Sequence, residues 1–220
     1  MKLISSTYGR ASQRFLLDEV RPQHVSYLPD TIELAVRRYG FLKHSDLSAA
    51  AEKGIKFEHG RLDVVDGNPI AIESIDVFSD GIICLCHSTD DADLVLNDFL
   101  KWGVESLNMR PPQTKIRRDY ASWLVVDFEG GLEPLLAKYT ELHQLIRESY
   151  ERTYETKIDF ELQRLAFSND PLKGQYVNVG YSIDRRINAP YELNRFFCVA
   201  PLRTEDHLKL LQQIERTFAK

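Results

Sequence analysis

The chain has 220 residues, of which 43% are hydrophobic and 28% charged, and a formal net charge of −5. That balance suits a globular protein large enough to bury a core, and it excludes intrinsic disorder. It also disfavours generic attraction to phosphate backbones or anionic lipid. No apolar run reaches the roughly 18 residues of a membrane span, and Met1-Lys2-Leu3-Ile4-Ser5-Ser6 turns polar too soon for a secretory signal. Three cysteines, two inside one apolar stretch, form no disulfide framework and fit a reducing compartment, so the expected location is cytoplasmic.

Met1 to Pro29 reads as loop with one short strand near Phe15-Leu16-Leu17, because its periodicity is poor. A helix follows from Pro29-Asp30, with Asp30 as cap, Glu33 at the capping-box position, and Ile32, Ala35, Val36 and Tyr39 on one face until Gly40. Ser45 to Ala51 reads as a further short helix. Two apolar runs, Ile55 to Phe57 and Leu62 to Val65, are separated by His59-Gly60 and closed by Asp66-Gly67-Asn68-Pro69.

The stretch from Ile70 to Met109 carries the clearest signals. Asp80-Gly81 supplies the positive φ angles of a hairpin turn between Ile75-Asp76-Val77-Phe78 and Ile82-Ile83-Cys84-Leu85-Cys86. The second of these strands is continuously apolar, which predicts a central strand covered on both faces. Ser88 or Thr89 caps a helix whose first turn holds Asp90, Asp91 and Asp93, and whose inner stripe is Ala92, Val95, Leu96, Phe99 and Leu100. Gly103, Asn108 and Pro111-Pro112 end it.

Tyr120 to Phe128 predicts a second central strand. After Gly130-Gly131, the longest predicted helix sets Leu132, Leu135, Leu136, Tyr139, Leu142, Leu145, Ile146 and Tyr150 on one stripe, with Pro134 in its first turn. Ile158 to Phe167 reads as a strand. Val177, Val179, Tyr181 and Ile183 alternate with polar residues, and Phe196 to Ala200 is apolar on both faces. A final helix from Thr204 directs Leu210, Leu211, Ile214 and Phe218 inward.

Aligning Thr89-Asp90-Asp91 with Thr204-Glu205-Asp206 superposes two caps and brings Val95, Leu96 and Phe99 onto Leu210, Leu211 and Ile214. A duplicated strand-strand-strand-helix unit, 41–112 and 155–220 joined by the strand and long helix of 119–151, accounts for this. Similar caps and stripes also arise independently, since one physics produces both.

Candidate chemistry is sparse. Cys84, Cys86 and His87 lack the fourth ligand of a zinc site unless Cys198 approaches, and they read better as core. Asp76 and Asp127 are carboxylates in apolar strands, and two such acids on neighbouring strands hold a divalent cation in phosphodiester chemistry. The basic pairs Arg37-Arg38, Arg117-Arg118 and Arg185-Arg186 are scattered and read as solvated, and His207 reads as a surface residue. There is no Gly-rich phosphate loop, Gly-x-Ser-x-Gly elbow or His-Glu-x-x-His motif.

The sequence therefore predicts one α+β domain over residues 1–220, a mostly antiparallel sheet with about three main helices. Its leading functional expectation is a non-enzymatic protein-interaction or assembly module with a protein partner or a homo-oligomer, without nucleic acid, membrane, cofactor or metal. The alternative is a metal-dependent phosphodiesterase or nuclease using Asp76 and Asp127.

Overall fold

A computed structural model describes residues 1–20, 28–45, 54–65, 67–129, 140–157, 163–170 and 180–218. The fold is α+β, and the described residues form nine strands in one antiparallel sheet and four helices. The strands are β1 (Lys2–Arg14), β2 (Lys43–His44), β3 (Ile55–Leu62), β4 (Ile70–Phe78), β5 (Gly81–Cys86), β6 (Arg117–Asp127), β7 (Arg164–Ser168), β8 (Gly180–Arg185) and β9 (Arg195–Ala200), in the order β2-β3-β4-β5-β1-β6-β9-β8-β7. The helices are α1 (Leu28–Tyr39), α2 (Thr89–Ser106), α3 (Thr140–Tyr154) and α4 (Thr204–Phe218). Among the described residues no helix is long and apolar enough to cross a membrane.

Contacts divide the chain into two compact units. The N-unit comprises Ser6–Ser122 and Pro201–Thr204, and the C-unit comprises Met1–Ser5, Trp123–Ala200 and Glu205–Lys220.

In the N-unit, β4 and β5 form the predicted hairpin one residue out of the expected phase. Phe78 pairs with Gly81, so Ser79-Asp80 makes the corner. Gly81 has φ +147°, and a Cβ there would lie 2.3 Å from the Gln13 carbonyl oxygen, so only glycine fits. Ile72, Ile75, Ile82, Cys84 and Cys86 are buried with Ala92, Val95 and Leu96 of α2 and with Ile32, Ala35 and Tyr39 of α1. Each large aliphatic side chain so buried contributes about 1.5–3 kcal/mol. Ser88 is the α2 cap, its Oγ accepting from the Asp91 amide at 3.1 Å. Since α1 begins at Leu28, Asp30 lies in its first turn rather than at its cap. Glu33 accepts from Arg37 instead of closing a capping box.

The N-terminal segment differs most from expectation. In place of a loop there is β1, the interior neighbour of β5 and β6. Its apolar alternation is weak because its buried positions are small or polar. A Cβ at Gly9 would fall 2.1 Å from the Ser88 carbonyl carbon, Ala11 is fully buried, and Gln13 Nε2 donates to Asn97 Oδ1 at 3.1 Å while Gln13 Oε1 is buried without a partner among the described residues. The first run continues through His59-Gly60 into β3, which ends at Leu62 and leaves Asp63–Val65 of the second run outside the strand, and Gly60 is required because the Phe41 ring occupies the space a side chain would need.

In the C-unit, Leu124, Val126 and Phe128 pack with Ile183, Phe196, Cys198 and Leu211 of α4. His207, expected at the surface, is fully buried beside the Tyr181 ring, whose centroid lies 6.1 Å away. The opposite sheet face is covered only in part, with Val125 buried. Ile83 and Leu85 in the N-unit, and Trp123, Phe197 and Val199 in the C-unit, are only half-buried. The helix expected at Ser45–Ala51, the first part of the long helix at 130–139, and the strand portions at 158–162 and 171–179 lie outside the described residues, apart from Ser45.

Candidate functional site

The two carboxylates singled out by sequence have separate engagements. Asp76, on β4, accepts from Ser74 Oγ at 3.0 Å, and burial raises its pKa. Asp127, on β6, accepts two parallel bonds from Arg195, from Nε at 2.7 Å and Nη2 at 2.9 Å. That guanidinium lowers its pKa. One residue belongs to the N-unit and the other to the C-unit, and β4 and β6 are not neighbours in the sheet order. Among the described residues no three His, Cys, Asp or Glu side chains gather as metal ligands.

The cysteines are free and buried. Cys84 and Cys86 share one side of β5, with their sulfurs 3.5 Å apart. Burial raises the Cys84 thiol pKa well above its ordinary value and pushes that of Cys198 up to about 12, which leaves both protonated near neutrality and poor as nucleophiles.

Of the basic pairs, two are occupied by acids. Arg37 meets Glu33, Arg38 meets Asp98 at 2.9 Å, Arg117 meets Asp119 at 3.3 Å, and Arg118 meets Asp93 at 3.8 Å while donating to Asn97 at 3.0 Å. The third pair behaves differently. Arg185 and Arg186, together with Arg195, line a groove of about 560 Å³ in the C-unit, on the sheet face opposite the α4-packed core. Val125, Phe197 and Ile4 supply its apolar lining. Residues between β8 and β9, including Ile187 and Asn188, complete it.

Within that groove the charges are unevenly satisfied. Asp184 accepts from Ser182 Oγ at 2.8 Å and meets Arg164 at 2.9 Å. Arg185 donates to the Tyr191 carbonyl at 3.1 Å and stacks on the Tyr191 ring at 3.7 Å. Arg186 lies over the Phe197 ring at 5.5 Å and makes no ion pair among the described residues.

The chain matches no protein-family model and no curated protein.

A second uncovered surface lies on α3. Three residues of its predicted inward stripe face solvent: Leu142 is 55% exposed, Leu145 60% and Ile146 43%, while Tyr150 is half-buried. Helical spacing correctly placed these residues on one face, but periodicity alone does not reveal whether that face meets the chain's own core. The groove had a weaker signal still, an Arg-Arg pair beside a loop, identical in kind to the two pairs that acids occupy.

Proposed function

We propose that the protein is a non-enzymatic assembly module that self-associates through α3. The carrying observation is the solvent-facing stripe of Leu142, Leu145 and Ile146 on an amphipathic helix. Exposed apolar residues in a continuous helical row mark interaction surfaces, and burying them against another helix removes their contact with water. A second copy of the chain is the occupant that the charges favour. Arg147 and Arg152 share the helix with Glu148 and Glu151, so a second copy brings both signs to the surface, whereas a partner of one sign meets its own. The free cysteines accord with a cytoplasmic setting for this assembly.

We also read residues 41–112 and 155–220 as descendants of one duplicated segment. Support comes from their matched ends, β3-β4-β5-α2 and β7-β8-β9-α4, and from Thr89 and Thr204 at the corresponding first helical position.

Light scattering across a dilution series tests the assembly. The expected result is twice the chain mass at high concentration, falling to one chain mass in the Leu142→Glu/Leu145→Glu variant. A wild-type mass of one chain at every concentration, or a dimer that the double variant leaves intact, overturns the reading.

A further inference from the structure

The C-unit groove has three properties that point to a ligand, and none depends on the assembly reading. First, its charge is inverted relative to the chain. Three arginines and one aspartate line it, in a protein of net charge −5. Retaining cations together on one concave surface has an electrostatic cost that an anion relieves.

Second, the cations are graded in their availability. Asp127 holds Arg195 by Nε and Nη2, which leaves Nη1 unused and keeps the guanidinium in one orientation. Arg185 is committed to Tyr191 and to Asn194 Oδ1. Among the described residues the Arg186 guanidinium has the Phe197 ring beneath it and no acid. A pre-oriented fork beside an uncommitted guanidinium can receive an oxyanion without first breaking an ion pair.

Third, the lining is apolar where the charges are not. Half-buried Phe197 and, at the buried floor, Val125 lie on adjacent strands of the partly covered face, and the cavity of about 560 Å³ lies within the range of roughly 300–1,000 Å³ that encloses small organic molecules. A bare inorganic ion leaves that surface wet, whereas a flat organic body covers it.

The contrast with the N-unit locates the origin of the groove. There, β4 passes to β5 through residues 79–80, and Ile83 stands opposite Asp76 as Phe197 stands opposite Asp184. In the C-unit, β8 passes to β9 through residues 186–194, and this longer connection supplies Arg186 and the neighbouring wall. Lengthened connections on a rigid sheet are where binding chemistry is added at least cost to the core.

We propose that this groove is a binding site for a small organic anion whose flat apolar body lies on Phe197 and Val125 and whose carboxylate or phosphate meets Arg186 and Arg195.

NMR titration of the full chain with benzoate, phenyl phosphate, inorganic phosphate and neutral benzamide tests it. The expected result is that at least one aryl anion shifts backbone resonances of residues 184–189 and 195–197, at concentrations up to about 10 mM, a weak-fragment range. Benzamide should bind at least tenfold more weakly. Preference for phenyl phosphate identifies a phosphate head group and preference for benzoate a carboxylate; either supports the site. Arg186 is exposed, so Arg186→Gln should retain the wild-type thermal midpoint while losing at least tenfold in affinity. Absence of groove shifts with both aryl anions overturns the proposal. So does inorganic phosphate binding as tightly as phenyl phosphate, or unchanged affinity in Arg186→Gln.

Discussion

The hairpins β4–β5 and β8–β9 share one pairing scheme and differ in how they are closed. Ile75 pairs with Cys84 and Ile183 with Cys198, and all four side chains are fully buried. One residue on, Asp76 and Asp184 each accept from a serine two positions earlier. On the outer side, Lys56 stands opposite Asp76 and Arg164 opposite Asp184. Yet the first hairpin turns through residues 79–80 and the second through residues 186–194. The register is held by what must be buried, while the connection, which buries little, is free to carry side chains for another purpose. The helices show the same division. The stripe of α1 is buried in its own unit, and Leu142, Leu145 and Ile146 of α3 are left to solvent.

The largest expected effect tests that last contrast. Ile32→Ala should destabilise by about 3 kcal/mol, as aliphatic truncations in a packed core do. Leu145→Ala should cost less than about 0.5 kcal/mol in the dissociated chain. Urea unfolding at low protein concentration measures both. Equal costs would show that α3 is packed as α1 is, and the contrast would be lost.

The next effect separates the residues three positions after the two threonines, Ala92 and His207, both fully buried. Burial lowers the His207 pKa from 6.5 to about 4. The unfolded chain therefore takes up a proton in that interval that the folded chain refuses. Its contribution is present above pH 6.5 and is lost as pH falls toward 4, by at most about 3 kcal/mol. Unfolding at pH 7 and at pH 4.5 should show this loss in the wild type and a smaller one in His207→Leu. An identical slope in the two proteins would assign acid sensitivity elsewhere.

Gly81→Ala sharpens the comparison of the turns. The positive φ and the nearby Gln13 carbonyl make a cost of about 2 kcal/mol the expected outcome. One glycine inserted after Asn188 should cost less than about 0.5 kcal/mol, because lengthening an exposed loop adds little closure entropy. Denaturation midpoints of the two variants decide whether only the first turn is sterically constrained.

The smallest expected effect concerns metal. Mg²⁺ or Mn²⁺ should leave the thermal midpoint unchanged, since Asp76 and Asp127 are separately engaged. A rise that disappears in both Asp76→Ala and Asp127→Ala would return these acids to a common cation site.

Much of the N-unit was legible in the sequence. Consecutive apolar residues marked β5 as interior, Ser88 with the following acids marked the start of α2, and i, i+3, i+4 spacing named the inner faces of α1 and α2. β1 was not legible, because its buried positions, Gly9, Ala11 and Gln13, are selected by close approach and by a single hydrogen-bond partner rather than by hydrophobicity. Most of the candidate groove was equally hidden. Ile4, Val125, Arg186 and Arg195 come from distant parts of the chain, and no local window contains them together.

Taken alone, the sequence determined the α+β class, the antiparallel pairing of the central hairpin, the cap of α2 and the stripes of α1 and α2, because each depends on neighbours within a few residues. The tertiary structure decided which stripe meets a core, that His207 is buried, which partner each aspartate takes, and that Arg186, unlike Arg37 or Arg117, has no acid beside it among the described residues. Those outcomes depend on which strands lie side by side, a property set by the packing of the whole chain.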